Sequence, residues 1–142
     1  MDIEKEIQKY KDMGFNKYQL YEIRNGLYNN LDVSIYTDTK YDASQMREIR
    51  LGIQDGLKYE IYLDVKYNWA QMHEIRLGLA GGINVSYYAN PKFNEAQMQE
   101  IRWGLENNLN VILYAKPNIN NLEMSELREY LLMRKEAGLN DY

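Results

Sequence analysis

A unit of 26 residues recurs along this chain without insertion or deletion, its copies opening at Phe15, Tyr41, Tyr67 and Phe93. A degenerate fifth copy opens at Ile119. A fixed period of this size marks a stacked array, because one unit alone cannot bury its apolar face and must lean on its neighbours. The repeat frame divides the chain into an N-terminal cap helix at 1–14, repeats at 15–40, 41–66, 67–92 and 93–118, and a C-terminal cap helix at 119–142. A second reading of the last segment stays open: K-E-A-G-L-N at its end echoes K-D-M-G-F-N at 11–16, as if another repeat could begin there.

Each unit opens with an aromatic, then Asn or Asp, and Gln three places on: Asn16/Gln19, Asp42/Gln45, Asn68/Gln71 and Asn94/Gln97. This is capping-box spacing, in which the Asx side chain accepts from one backbone amide and Gln reaches back to the other. The aromatic before the cap and the Leu or Met after Gln form hydrophobic staples: Phe15–Leu20, Tyr41–Met46, Tyr67–Met72 and Phe93–Met98, with Ile119–Met124 in the fifth copy. The helix stripe then runs through Leu20, Ile23 and Leu27 and their equivalents. It ends at Asn30, Gly56, Gly82 and Asn108, residue types that accept the left-handed backbone that closes a helix.

The next four residues are V-S-I-Y from Val33, Y-E-I-Y from Tyr59, V-S-Y-Y from Val85 and V-I-L-Y from Val111. Apolar residues alternate with Ser34, Glu60, Ser86 and Ile112, which reads as a half-buried strand. One strand and one helix per unit, always in that order, predict parallel strands with right-handed helical crossovers. Strands pair at about 4.8 Å and helices pack at about 8–10 Å, so such an array must curve. The expected fold is an α/β solenoid, short and curved, with its strands on the concave face.

On the helices, Arg24, Arg50, Arg76 and Arg102 take one flank. Glu22, Glu48, Glu74 and Glu100 take the other, beside Gly26, Gly52, Gly78 and Gly104. A glycine inside a helix costs about 1 kcal/mol relative to alanine, so four in register imply a compensating close approach, here assigned to the neighbouring helix. Tyr130 replaces that glycine in the fifth copy while Arg128 is kept, so the Gly/Glu flank should face the next repeat. The expected ladder is Glu22–Arg50, Glu48–Arg76, Glu74–Arg102 and Glu100–Arg128, with Glu126 left over.

The plan resembles leucine-rich-repeat horseshoes, although L-x-x-L-x-L-x-x-N is absent. The motif Q-M-x-E-I-R-x-G-L, followed in later copies by Y-A-x-P, is similar to uncharacterised repeat proteins of Firmicutes and their phages and mobile elements. That resemblance covers residues 15–117 well and 118–130 in part, and it implies no activity and no functional residues.

Composition narrows the function classes. Net charge is −4, which disfavours a protein that tracks nucleic-acid phosphates. No apolar run is long enough to span a membrane, no signal-peptide core opens the chain, and a cytoplasmic location is the default. Without cysteine there is no disulfide or thiolate metal site, and neither a cofactor nor a metal is expected. His73 reads as a plain exposed histidine. Carboxylates such as Asp12 and Glu136 are not brought together by any convergent motif. No P-loop, nucleophile elbow or dinucleotide fingerprint is present; Gly81-Gly82 ends a helix rather than opening one.

The anomaly is tyrosine, with 14 copies against 2 Phe and 2 Trp. Tyr is amphipathic and enriched at binding surfaces. Tyr36, Tyr62, Tyr88 and Tyr114 fall on the same strand parity as Ser34, Glu60 and Ser86, which predicts a tyrosine ladder on the concave face. That ladder is either cross-strand stacking or a binding platform, with Glu60 among it. A second candidate surface is the stripe Leu51, Leu77 and Trp103 on the convex side, at the position of Asn25. Trp69 reads as packing along its own helix.

The expected function is a non-enzymatic scaffold for an unidentified protein partner, of phage or mobile-element origin and acting on a host protein. The chain is expected to be a monomer or to self-associate weakly. The alternative is a small-molecule binder or enzyme using the tyrosine-lined groove.

Overall fold

A computed structural model describes residues 1–139, so Asn140, in the echo of the repeat opening, lies outside the described residues. The helix starts form where the caps place them. The helices are α1 (Ile3–Asp12), α2 (Lys17–Tyr28), α3 (Ala43–Gln54), α4 (Trp69–Ala80), α5 (Glu95–Glu106) and α6 (Asn121–Glu136). Asn16, Asp42 and Asn94 each accept from the amide three residues on, and the Gln at that position accepts the cap residue's own amide in return. Asn68 and Gln71 make the same reciprocal pair at 2.8 and 2.9 Å.

The ends are as specific as the starts. Asn30, Gly56, Gly82 and Asn108 all have positive φ. Beyond them Leu31, Leu57, Ile83 and Leu109 donate their amides to the carbonyls of Gly26, Gly52, Gly78 and Gly104. That six-to-one bond is the Schellman closure.

The predicted strands do not exist. Among the described residues there is no sheet, and the four β-prone runs form 3-10 segments: η1 (Val33–Ile35), η2 (Tyr59–Tyr62), η3 (Val85–Tyr87) and η4 (Val111–Leu113). The α/β solenoid, its parallel strands, its right-handed crossovers and its leucine-rich-repeat likeness are therefore corrected to an all-helical repeat of one α-helix and one 3-10 turn. The buried residues show why. Val33 and Tyr36 are buried while Ser34 is exposed, and the same holds for Val85, Tyr88 and Ser86. A spacing of three matches the 3-10 turn, whereas a strand would have buried every second residue.

Two local bonds select this turn over an extended chain. Asp32 and Asn84 accept from the amides of Ser34 and Ser86, capping the turn as an Asx residue caps a helix. Tyr36, Tyr88 and Tyr114 then donate their amides to the carbonyls three residues back. An Asx turn sends the chain toward the next helix, with Asp38, Asp64 and Asn90 accepting from the amides of Lys40, Lys66 and Lys92.

The chain forms two compact units, Met1–Met72 and from His73 onward, with the boundary inside α4. In the first, α1 packs on α2 and α2 on α3; in the second, α5 packs on α6. Each core is a row of repeated positions, such as Ile23 and Ile49 in the first unit and Ile75 and Ile101 in the second, all fully buried. No buried side-chain nitrogen or oxygen lacks a hydrogen-bond partner among the described residues. No helix among them is long and apolar enough to cross a membrane.

Candidate functional site

The tyrosines expected on an open face are among the fully buried side chains of the described residues. Tyr36, Tyr62, Tyr88 and Tyr114 each have 0% exposure. Their hydroxyls donate to the main-chain carbonyls of Glu22, Glu48, Glu74 and Glu100, at 2.8, 2.7, 2.7 and 3.1 Å. Each phenol thus ties its 3-10 turn back to the middle of the preceding helix. A binding role for this ladder is corrected: with no sheet there is no concave tyrosine-lined groove, and none of these rings reaches solvent. Burial pushes the Tyr36, Tyr88 and Tyr114 phenols above the usual tyrosine range, an effect the guanidinium groups of Arg50, Arg102 and Arg128 oppose.

The helical glycines are explained by the same rings. A Cβ on Gly26, Gly52, Gly78 or Gly104 would clash with the hydroxyl of Tyr36, Tyr62, Tyr88 or Tyr114, and at three of them also with a valine methyl of the same turn. The close approach is therefore between a helix and its own 3-10 segment, not between neighbouring helices. Tyr130 takes the glycine position in α6, where no 3-10 segment follows among the described residues, and it is exposed.

The Glu flank does face the next helix. Arg50 Nε donates to Glu22 Oε2 at 2.8 Å in the first unit, and Arg102 to Glu74 and Arg128 to Glu100 at 2.8 Å in the second. Glu48 and Arg76 belong one to each unit. At the first position, α1 supplies the acid, and Arg24 pairs with Glu4 at 2.9 Å in a far more exposed setting. Glu22, Glu74 and Glu100 thus serve twice, the side chain binding the next helix's arginine and the main-chain carbonyl receiving a tyrosine.

The sequence reading missed a second inter-repeat bond. The capping glutamines donate their free Nε2 across the turn, Gln19 to the Tyr41 carbonyl, Gln45 to that of Tyr67 and Gln97 to that of Ile119. A Gln rather than Glu at this capping position was the signal, because only the amide carries a donor to spare.

The candidates Leu51, Leu77 and Trp103 are only partly open. Leu51 and Leu77 are half-buried, and Trp103 is 36% exposed with the Arg128 guanidinium 5.3 Å from its ring centre. Glu60 is exposed on η2. His73 is half-buried, its Nδ1 3.3 Å from Arg76 Nη2, and Trp69 at the start of α4 is half exposed. No cluster of three or more His, Cys, Asp or Glu side chains able to hold a metal occurs among the described residues.

Among the described residues the broadest aromatic exposure lies instead on α2. Tyr18, Tyr21 and Tyr28 are 64, 60 and 60% exposed. Their spacing of three and then seven places all three on one stripe of the helix. A cleft of about 150 Å³ runs beside it toward α3, lined by Tyr18, Tyr21, Glu22, Ala43, Ser44 and Arg47. The equivalent positions in α3 are Ser44, Arg47 and Gln54, and in α5 Ala96, Gln99 and Glu106. The stripe is thus a departure from the repeat, which is the signal that would have found it. Other exposed apolar side chains include Ile61 on η2, Tyr87 on η3, Ile112 and Leu113 on η4, and Leu122 and Met133 on α6.

No family model matches the chain, and neither a curated protein nor a solved structure matches it.

Proposed function

We propose that the chain is a non-enzymatic repeat scaffold that binds a protein partner through the outer face of α2. The observation that carries this reading is the exposed Tyr18–Tyr21–Tyr28 stripe. Tyrosine presents a large, stiff, amphipathic surface at little conformational cost, which is why it concentrates in contact surfaces. Most repeated positions of the unit, by contrast, are occupied with stacking: the caps, the buried tyrosines, the glycines and the Glu–Arg pairs. The stripe has no such duty in its own unit. The resemblance to repeat proteins of phages and mobile elements makes a host protein the partner to look for.

The test is affinity capture from a native lysate with the full chain, set against Tyr18→Ser/Tyr21→Ser/Tyr28→Ser and against Ile61→Ser as a control on the 3-10 side. The reading expects a partner retained by the parent chain and by Ile61→Ser, and lost with the triple variant at unchanged helical circular dichroism. A partner retained equally by the folded triple variant removes α2 as the binding face.

A further inference from the structure

Resting on that reading, we infer that the cleft beside the α2 stripe takes an acidic side chain of the partner, seated on Arg47 and flanked by a large apolar residue packed on Tyr18 and Tyr21. Three observations carry this.

The first is the state of Arg47. Arg24, Arg50, Arg102 and Arg128 are each held by a carboxylate. Arg47 lines the cleft, is exposed, and has no hydrogen bond or ion pair among the described residues. An arginine fork left open beside aromatic walls is suited to bidentate capture of a carboxylate.

The second is the local charge. The chain carries a net −4, yet the acid that lines this cleft is already neutralised: Glu22 is bound to Arg50 at 2.8 Å with both side chains largely buried. Lys17 adds a further cation next to one wall of the cleft, 5.0 Å from the centre of the Tyr18 ring. The cleft edge is positive on an acidic molecule, so a partner complementary to it is acidic.

The third is size and wall chemistry. A space of about 150 Å³ holds one side chain rather than a metabolite of ordinary dimensions. Ala43 and Ser44 leave room on the α3 side, while Tyr18 and Tyr21 form the opposite wall. The recognised unit is therefore Asp or Glu next to an aromatic or aliphatic residue.

The experiment is selection of a random short-peptide library on the immobilised full chain. Affinities of the enriched peptides are then measured on Arg47→Gln, on Tyr18→Ser/Tyr21→Ser and on the parent. Circular dichroism confirms that each variant is folded. The inference expects enrichment of an acidic residue adjacent to a large apolar one, with affinity falling about tenfold or more on Arg47→Gln and also on the tyrosine variant. Peptides that lose affinity only on the tyrosine variant overturn the acidic site and leave the α2 surface standing. Peptides indifferent to both variants, or no enrichment at all, overturn both.

Discussion

Tyrosine is used in two opposite ways on either side of α2. On the outer face Tyr18, Tyr21 and Tyr28 lie mostly in solvent, while from below Tyr36 reaches the same helix, fully buried and donating to the Glu22 carbonyl. The first set belongs to one repeat and the second recurs in four. The contrast teaches how to read a repeat of this kind. A residue that returns at every period is held there by the stacking physics of the unit, and a residue that departs from the period is free to serve something else. The tyrosine enrichment that first suggested a binding surface is mostly a structural device, and only its irregular part remains as a surface.

The largest way to break the comparison is alkaline pH. The Tyr36, Tyr88 and Tyr114 phenols sit above their usual range because burial disfavours the charged form. A group whose folded pKa is raised contributes stability that is whole below the unfolded value, about 10 for tyrosine, and is lost as pH climbs through the folded one. Stability should therefore hold up to about pH 10 and fall steeply above it, with a second rise in tyrosinate absorbance, beyond that of the exposed rings, appearing together with loss of helical circular dichroism. Ionisation of these rings with the helices intact would mean that they are not buried.

Next comes the single ring. Tyr88→Ala should cost about 3–5 kcal/mol, the range for emptying a large buried aromatic site, read from the midpoint of denaturant unfolding. Gly78→Ala is the more pointed case. Helix propensity alone predicts a gain of about 1 kcal/mol, but the added methyl meets the Tyr88 hydroxyl, and overpacking of this kind costs about 1–3 kcal/mol. The expected sign is a net loss, partly recovered when Tyr88→Phe is added to remove the clashing oxygen. A stabilised Gly78→Ala chain would show that the glycine is not there for the ring.

These substitutions also mark what was legible. The caps, the staples and the left-handed closures at Asn30, Gly56, Gly82 and Asn108 could be read from residue type and spacing, because each rests on bonds within a few residues. The Glu22–Arg50 bond and its equivalents could be read from the period, because neighbouring helices repeat the same face. The run Val33-Ser34-Ile35-Tyr36 could not be resolved by alternation alone. Four residues fit period two and period three almost equally, and the choice was made by contacts from outside the run. Gly26 opens a slot of phenol size in α2, and Asp32 caps a turn. The pairing of Asp32 with Ser34 and of Asn84 with Ser86 was the available hint. Misreading the turn moved the tyrosines from core to surface and misassigned the glycines to a neighbouring helix. It also drew attention away from Tyr18, Tyr21 and Tyr28, which do not recur with the 26-residue period.

The smallest effect expected is on the outer face. Replacing Tyr18, Tyr21 and Tyr28 by Ser should each move stability by no more than about 0.5 kcal/mol, since exposed side chains away from caps and networks contribute little. Unfolding midpoints of the three single variants check this. A loss of Tyr88→Ala size at any of them would erase the distinction between the two sets.

The most direct measurement is nitration of the folded chain with tetranitromethane, followed by peptide mass spectrometry to locate each modified ring. The account predicts rapid modification of Tyr18, Tyr21 and Tyr28 and protection of Tyr36, Tyr62, Tyr88 and Tyr114 until the chain is unfolded. Modification of Tyr62 or Tyr88 in the folded protein at a rate comparable with Tyr21 would contradict it.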